Sequence, residues 1–391
     1  MVGSVIAVVV AVAAHGWFLG WRGAFGLFGN GVDTIVYRHG GQMVADGLPL
    51  YEFALFEVGL PFTYPPFAAL VFVPLAWMSV DTAIAVMQIV NAVLVYAAVM
   101  ASWRILGYRG PRVWLISVGV AAGVSWLEPV RMTMWLGQIN LLLLVLVLFD
   151  LARADGSRLR GVGVGIAAGL KLTPAFFVLY LLVLRQWRSA VTAAAVFAVT
   201  VAAGVAILPK DAWRFFTGAM SESERIGALA SPANQSLHGA LARAWPGHTP
   251  PVWVWLAGAV VVAAIGLWAA QRAYRGGNRL LGLTICGLST PMVSPFAWGH
   301  HWVWCIPLTV LALDYAHRHR SRWAWTVPVA VILPVTAWFF TDYRGIKAIG
   351  IFMFEGPAWF DTAVQLAYPA LFAAVVAATA LSYRGASNAC R

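Results

Sequence analysis

Long stretches without a charged residue limit this chain's fold more than any other feature of its sequence. Residues 82–102 and 252–271 are two examples, and neither contains an Asp, Glu, Lys or Arg. A helix of about 20 apolar residues crosses a hydrocarbon core roughly 30 Å thick. Charged residues make up only 10% of the chain, whereas soluble domains average roughly 25%. The sequence therefore predicts an all-α, polytopic transmembrane protein and excludes intrinsic disorder.

Ten apolar runs predict membrane-spanning helices, and two further stretches are ambiguous. Residues 65–78 are short and begin with Pro-Pro, which favours a half-embedded interfacial helix. Residues 161–184 are interrupted by Lys171 and Pro174, which favours a re-entrant hairpin or two short helices. The total is about 10 to 12 helices. The predicted spans are 4–20, 82–102, 112–127, 138–152, 189–208, 252–271, 280–293, 301–314, 323–341 and 361–382.

The basic residues predict the orientation of the chain in the membrane. The net charge is +11, and much of it lies in short Arg-rich connections such as 318–322. Such connections mark the cytoplasmic side. This places the loops 21–65, 209–251 and 342–360 outside, within a single membrane domain over 1–391 whose two termini are cytoplasmic. The basic charge is assigned to topology and to anionic membrane lipids, not to nucleic acid. Most acidic residues lie in the outer loops, so chemistry is predicted on the outer face of the cell membrane.

Asp33 is the first candidate for chemistry, since it follows a Gly-rich turn close to where the first helix leaves the membrane. A carboxylate at such a boundary is costly to desolvate, so its pKa is easily tuned toward the value of a general base. The alternative is that Asp33 is the N-cap of a short helix that begins at Thr34.

Tyr64 lies in a segment, 60–67, where prolines at 61, 65 and 66 stiffen the backbone. One interpretation is a rigid aromatic wall that binds a lipid or a sugar. The other is an anchor at the membrane interface, where aromatic residues are common in any case. The chemistry of the segment leaves both open.

Polar residues in three otherwise apolar stretches are candidate substrate-binding residues. Arg131, in the predicted outer loop 128–137, is suited to holding a lipid-linked phosphate, unless it merely pairs with Glu128 at the surface. Gln138 and Asn140 enter an apolar helix, where polar side chains face a cavity or a neighbouring helix. Lys171 is either a functional ionisable group at membrane depth or a side chain that snorkels to the cytoplasmic face.

His300 and His301 supply imidazoles that titrate near neutral pH, at the predicted outer start of a helix. Adjacent side chains diverge on a helix, so the pair is poorly spaced for a metal, and we expect none. The neighbouring Trp298 is a further candidate for substrate binding. In the loop 209–251, Asn234 and Gln235 carry amides suited to sugar hydroxyls.

Seven motifs together resemble glycosyltransferase family 87 of actinobacteria. They follow Asp33 in one order and extend to about residue 304, which covers most of the chain. The motifs are Val36-Tyr37, Pro49-Leu50-Tyr51, Leu60–Phe67, Gly137–Leu142, Lys171–Pro174, Asn234–Leu237 and Trp298–Trp302. That family is similar to other membrane glycosyltransferases of the GT-C class, which place a catalytic carboxylate in the first outer loop. The resemblance implies that Asp33 is this carboxylate and that the sugar donor is a polyprenyl phosphate.

The activity that the resemblance implies is inverting mannose transfer. Polyprenyl-phosphate mannose would be the donor, and a mannose hydroxyl of a phosphatidylinositol mannoside or lipomannan glycolipid would be the acceptor, with an α-1,2 linkage formed. Asp33 would act as base, His300 or His301 would orient the acceptor or share that role, and Arg131 would stabilise the leaving phosphate. Phosphate is a good leaving group, so no metal or other cofactor is expected. Two alternatives remain: transfer of arabinofuranose from a polyprenyl phosphate, and a flippase or transporter of lipid-linked sugars that is not an enzyme.

Overall fold

Apolar stretches of this chain fold as helices, because a helix pairs every backbone N–H and C=O within its own segment. The computed structural model describes residues 2–19, 27–52, 54–55, 59–220, 227–336 and 357–383. Within them lies one small antiparallel ladder, in which β1 pairs with β2. The elements are α1 (Val2–Leu19), α2 (Val32–Ala45), β1 (Ala54–Leu55), β2 (Leu60–Pro61), α3 (Pro66–Ala76), α4 (Val80–Ile105), α5 (Pro111–Val124), α6 (Glu128–Leu136), α7 (Asn140–Leu151), α8 (Val162–Leu170), α9 (Phe176–Val183), α10 (Trp187–Ile207), α11 (Pro209–Arg214), α12 (Leu237–Ala244), α13 (Val252–Arg275), α14 (Arg279–Val293), α15 (Cys305–His319), α16 (Thr326–Thr336), α17 (Ala358–Gln365) and α18 (Ala367–Ser382).

The all-α membrane fold predicted from the sequence is confirmed. Among the described residues, three helices, α4, α10 and α13, are long and apolar enough to cross a membrane. Helices α5 and α6 together pass the same test but are bent by 82° at the break between them. The prediction that 128–137 is a loop is therefore wrong. Pro129 falls in the first turn of α6, where a missing backbone N–H costs nothing, so the proline does not prevent a helix.

Both ambiguous stretches form short helices. Pro66 begins α3, which has 11 residues and is too short to cross a bilayer of ordinary thickness. The stretch 161–184 contains α8 and α9, and Lys171 ends α8 in an extended conformation. Pro174 follows within a 3-10 turn at Thr173–Ala175. Two short helices were one of the two structures predicted for this stretch.

The chain divides into two units by its internal packing. Unit 1 comprises Met1–Leu27, Val95–Met132 and Leu229–Arg391, and unit 2 comprises Phe28–Leu94 and Thr133–Ala228. This division describes packing and does not test whether 1–391 is a single functional domain, which stays a prediction. The predicted outer loop 342–360 lies outside the described residues, apart from its end at 357–360.

Small residues allow the helices of each unit to approach closely, as is usual between helices in a membrane. In unit 1, α13 packs on α14, and a Cβ on Gly266 would lie 2.2 Å from Ser289 Oγ. In unit 2, α8 packs on α10, and a Cβ on Gly165 would lie 2.6 Å from the carbonyl oxygen of Ala193. Helix α2 packs on α3 in the same unit. The pair α2 and α3 carries the first candidate catalytic residue.

Candidate active site

Asp33 lies in the first turn of α2, in unit 2. The helix begins at Val32 and its N-cap is Gly31, whose φ of 57° is left-handed. The alternative interpretation of Asp33 as the N-cap is therefore wrong, because glycine adopts that backbone conformation without strain and takes the cap position. The N–H of Gly31 donates to the carbonyl of Trp135 over 2.9 Å and so fixes the start of the helix. A carboxylate in the first turn also interacts favourably with the helix dipole.

The side chain of Asp33 is half-buried. Desolvation raises the pKa of Asp33 to about 6, against an ordinary value of 3.8. A hydrogen bond from the side chain of Gln138 and the positive charge of Lys171 both oppose this rise. Helix α2 is not among the helices long enough to cross the membrane. The result is a carboxylate that is largely ionised at neutral pH and still basic enough to accept a proton.

Gln138 connects Asp33 to two buried phenols. Its side-chain oxygen accepts hydrogen bonds from Tyr37 Oη over 2.8 Å and from Tyr64 Oη over 3.0 Å. The two hydroxyl oxygens are themselves 2.9 Å apart. With its oxygen occupied by the phenols, Gln138 has its NH2 group available to donate to the carboxylate.

The backbone around Gln138 is also held in place. Gly137 has a left-handed φ of 72°, and its carbonyl accepts from Thr34 Oγ1 over 3.3 Å. A Cβ at Gly137 would lie 1.9 Å from that same hydroxyl oxygen. Asn91 Nδ2 donates to the carbonyl of Gln138 over 3.1 Å. The Gly-Gln motif read from the sequence is thus a turn that only glycine fits, and it presents one amide side chain.

Lys171 completes the polar group in unit 2. Its Nζ donates to Asn140 Oδ1 over 3.1 Å and lies 5.3 Å from the centroid of the Tyr64 ring. Asn140 is buried at the start of α7. We call this group the Asp33 cluster, which consists of Asp33, Tyr37, Tyr64, Gln138, Asn140 and Lys171.

Five members of the Asp33 cluster were candidates from the sequence, and the sixth, Tyr37, was missed. A signal for Tyr37 was present in the sequence. It lies four residues after Asp33, and side chains at that spacing on a helix are neighbours.

Tyr64 belongs to an aromatic wall inside the protein. Its ring centroid is 5.7 Å from that of Phe62, and the Tyr37 ring stacks on Phe72 at 4.4 Å. Tyr51 Oη donates to the backbone carbonyl of Tyr64 over 2.8 Å. Phe62 and Tyr64 are 2% and 5% exposed, which speaks against the anchor at the membrane interface, and the binding of a lipid or a sugar by this segment stays a prediction.

The remaining candidates lie in unit 1. Glu128 and Arg131 are both buried in α6, so the alternative of a surface pair is wrong. Glu128 accepts a hydrogen bond from the hydroxyl of Tyr368. Its carboxylate also lies directly against Gly299, where an added Cβ would be 2.0 Å from Glu128 Oε1. The guanidinium of Arg131 lies 6.0 Å from the centroid of Trp126.

The two histidines form a 3-10 turn with Gly299, and α15 begins only at Cys305. The predicted helix start at 301 is therefore four residues early, because the N–H groups of His301 and Trp302 donate to the carbonyls of Trp298 and Gly299 and close a 3-10 turn there. The rings of His300 and His301 contact each other edge to face at 4.7 Å. His300 is buried, His301 is half-buried, and Trp298 lies against Phe296 at 4.8 Å. Across the described ranges, no three His, Cys, Asp or Glu side chains come together as a metal site, and metal independence stays a prediction.

The amide of Asn234 holds one loop to another. Its Oδ1 accepts from the N–H of Ala297 over 3.0 Å and from that of Ser236 over 3.3 Å. Its Nδ2 donates to the carbonyl of Leu229 over 3.0 Å. Gln235 differs, because its Oε1 is buried and has no hydrogen-bond partner in the described part of the chain. Of the two amides, Gln235 is the one with an acceptor left for a hydroxyl.

The fold and the Asp33 cluster together define a class of protein. The protein is an α-helical membrane protein with one tuned carboxylate, two fixed amides and one ammonium group in the same unit. Such a set can accept a proton and bind an anionic substrate.

Comparison with known proteins identifies the family. The family model of glycosyltransferase family 87 matches residues 62–295. A relative from Mycobacterium tuberculosis is 36% identical over 78% of this chain and 75% of its own length. It is named polyprenol-phosphate-mannose-dependent alpha-(1-2)-phosphatidylinositol mannoside mannosyltransferase, as is a relative from Mycolicibacterium smegmatis at 36% identity over 82% and 78%. A second protein of that species, a phosphatidylinositol pentamannoside mannosyltransferase, is 36% identical over 73% and 70%.

The chain therefore belongs to glycosyltransferase family 87 and is a glycosyltransferase. The resemblance drawn from the sequence motifs is confirmed. The matched region includes Tyr64, Gln138 and Lys171, whereas Asp33 precedes it and His300 follows it. No solved structure matches the chain.

Proposed function

We propose that the protein transfers mannose from polyprenyl-phosphate mannose to a mannose hydroxyl of a phosphatidylinositol mannoside and forms an α-1,2 linkage. The names of its relatives support this donor, acceptor and linkage. The single observation that carries the chemistry is the half-buried carboxylate of Asp33 beside Gln138 and Lys171. No other carboxylate in unit 2, among its described residues, has such a setting in the structure.

Asp33 acts as the general base of this reaction. The acceptor hydroxyl oxygen attacks the anomeric carbon, its proton passes to the carboxylate, and a new carbon–oxygen bond forms. The bond from that carbon to the phosphate oxygen breaks, and its electron pair leaves with polyprenyl phosphate. Attack from the face opposite the leaving group inverts the β-linked donor to an α-linked product.

Binding of the donor phosphate is assigned to positively charged side chains. Lys171 lies in the Asp33 cluster, and its ammonium group is held by Asn140. Arg131 in unit 1 is the second candidate, because a guanidinium matches the geometry of phosphate. In this proposal Lys171 stabilises charge as it develops on the departing oxygen, and Arg131 stays a candidate from the sequence. Phosphate departs readily, so the reaction needs no metal.

The active site is assigned to the outer face of the cell membrane, with both chain termini in the cytoplasm. The support is the distribution of charge along the sequence, since the short connections are basic and the three long loops hold nine of the 15 acidic residues. His300 and His301 remain the candidates from the sequence for orienting the acceptor hydroxyl. Cysteine accessibility to a membrane-impermeant reagent, with Cys introduced at Asp46 or at Arg158, tests the orientation.

The decisive experiment measures sugar transfer by the purified protein in lipid nanodiscs. Polyprenyl-phosphate mannose and polyprenyl-phosphate arabinose are offered separately, each with a panel of phosphatidylinositol mannosides. Asp33→Asn is compared with Asp46→Asn, which replaces an exposed carboxylate at the other end of α2. We expect mannose transfer that is lost in Asp33→Asn and retained in Asp46→Asn.

Other results would change the proposal in defined ways. Transfer of arabinose alone would change the proposed donor to polyprenyl-phosphate arabinose and leave the proposed role of Asp33 unchanged. Turnover that survives in Asp33→Asn would remove the assignment of Asp33. Movement of lipid-linked mannose across the bilayer without transfer would favour the transporter.

A further inference from the structure

We propose that Tyr37 and Tyr64 are positioning residues that act on Asp33 through Gln138. The two phenols fix the orientation of the Gln138 amide, so that its NH2 group faces the carboxylate of the base. This inference rests on the proposed role of Asp33 as base. It changes the role of Gln138 and Tyr64 from substrate-binding residues to parts of the machinery that orients Asp33.

The chemistry of the four groups gives the direction of each hydrogen bond. An amide side chain has a donor end and an acceptor end of nearly the same shape, and its surroundings decide which way it points. Phenols donate, whereas an ionised carboxylate only accepts. The Gln138 oxygen lies 2.8 Å from Tyr37 Oη and 3.0 Å from Tyr64 Oη. An amide placed between two phenols and a carboxylate therefore turns its oxygen to the phenols.

The two phenols are themselves rigid. Tyr37 is completely buried, and its ring stacks on Phe72. Tyr64 packs edge to face on Tyr37 with ring centroids 5.1 Å apart, and the two hydroxyl oxygens are 2.9 Å apart. Groups locked by packing hold a hydrogen-bond partner without a further loss of entropy when the reaction occurs.

The backbone of Gln138 is fixed independently of its side chain. Asn91 holds its carbonyl, and Thr34 holds the carbonyl of Gly137. Thr34 directly follows Asp33 on α2, so one helix positions both the base and the turn that carries its amide partner. Loss of the phenols would leave Gln138 in place and free only the rotation of its amide.

The charged and titratable groups that face Asp33 are Lys171, from the connection between α8 and α9, and the phenols Tyr37 and Tyr64. The Gln138 hydrogen bond and Lys171 both favour the ionised carboxylate. An amide that turned its oxygen toward Asp33 would disfavour it instead. The proposal therefore predicts that removal of the phenol donors raises the pKa of Asp33.

The test compares the double variant Tyr37→Phe/Tyr64→Phe with Tyr51→Phe in the full-length protein in nanodiscs. Tyr51 is a buried phenol of the same aromatic wall, but its hydroxyl bonds a backbone carbonyl. The pKa of Asp33 is read by NMR titration of isotope-labelled aspartate, with the signal assigned by its loss in Asp33→Asn. We expect a rise of about one unit in the double variant and none in Tyr51→Phe. The single variants, each with one donor left, should shift less.

A second readout is the acidic limb of the pH profile of kcat/KM, which should move upward by the same amount. An Asp33 pKa that is unchanged in the double and single variants would overturn the proposal, as would an equal shift in Tyr51→Phe. The NMR titration does not depend on turnover. A protein that does not transfer mannose would therefore contradict the proposed function, while the NMR titration would still test the role of the phenols.

Discussion

Two carboxylates, one in each unit, show how differently the same chemical group can be held. Asp33 in unit 2 is half-buried and is held by an amide, with an ammonium group near by. Glu128 in unit 1 is buried, is bonded by the Tyr368 hydroxyl and is covered by Gly299. A carboxylate that exchanges a proton with a substrate must be within reach of that substrate, whereas a carboxylate that holds two segments together can be enclosed by the protein. The proposed role of base therefore goes to the carboxylate that is only half-buried, and the buried carboxylate is assigned to structure.

Exchange of each carboxylate for its amide tests this contrast most strongly. Asp33→Asn removes the base, and we expect turnover to fall by about 100- to 10,000-fold. Glu128→Gln keeps an oxygen that accepts from Tyr368, so turnover should stay within about tenfold of the wild-type value. Initial rates of mannose transfer in nanodiscs measure both. Equal losses in the two variants would contradict the division of roles.

The closed setting of Glu128 predicts a large effect of one methyl group. A Cβ at Gly299 would lie 2.0 Å from Glu128 Oε1, so Gly299→Ala should displace the carboxylate and the turn that carries His300. The expected loss is about 1–3 kcal/mol of unfolding free energy. Thermal unfolding in detergent micelles measures it.

Gly123→Ala is the matched control for that substitution, because nothing lies within 4 Å of the added Cβ. Ala is also favoured over Gly inside a helix, and Gly123 lies in α5. We expect no loss of stability there. A Gly299→Ala protein as stable as this control would show that the carboxylate is not tightly enclosed.

The open setting of Asp33 predicts sensitivity to the neighbouring cation. Lys171 favours the ionised carboxylate, so Lys171→Met should raise the Asp33 pKa above about 6 and move the acidic limb of kcat/KM to higher pH. The effect at pH 6 should be several-fold. Lys210→Met removes an exposed cation from the same unit and should leave the limb unchanged. If the acidic limbs of the kcat/KM profiles coincide in Lys171→Met and Lys210→Met, Lys171 does not influence the pKa of Asp33.

The smallest expected effect concerns stability against pH. Burial raises the pKa of Asp33 from 3.8 to about 6, so the folded protein binds this proton more tightly than the unfolded chain. The stabilisation is complete below pH 3.8 and is lost as the pH rises through about 6. The Asp33→Asn variant does not lose stability in this way, because its amide does not ionise. Its Tm should exceed that of the wild type by a few degrees near pH 7.5, and the difference should shrink toward pH 4.

The Asp33 cluster shows how far motifs in the sequence predict a site. Tyr64, Gln138, Asn140 and Lys171 are polar groups in apolar or proline-rich stretches, and such groups stand out because burying them without a partner is costly. Tyr37 is part of the motif Val36-Tyr37, but nothing in the sequence indicates a chemical role for its phenol. Its partner, Gln138, is about one hundred residues away along the chain, so only the fold reveals its role.

Unit 1 shows where prediction from the sequence failed. The stretch 128–137 contains Glu, Pro and Arg, which suggested a polar loop, yet it forms α6 with both charged residues buried. The sequence gives no sign that Tyr368, 240 positions away, supplies a hydroxyl to Glu128. The need for glycine at 299 is equally hidden, because it depends on a carboxylate from another helix.

The sequence by itself determined the membrane environment, the helical class, the family and five of the six residues in the Asp33 cluster. These properties follow from local causes: uncharged runs of sufficient length, prolines and glycines at fixed places, and motifs in a fixed order. The tertiary structure decided which polar residues meet, which end of the Gln138 amide faces Asp33, and which of two carboxylates is closed. Those properties depend on contacts between distant segments, and an atom's partner, burial and charge exist only once those segments have packed.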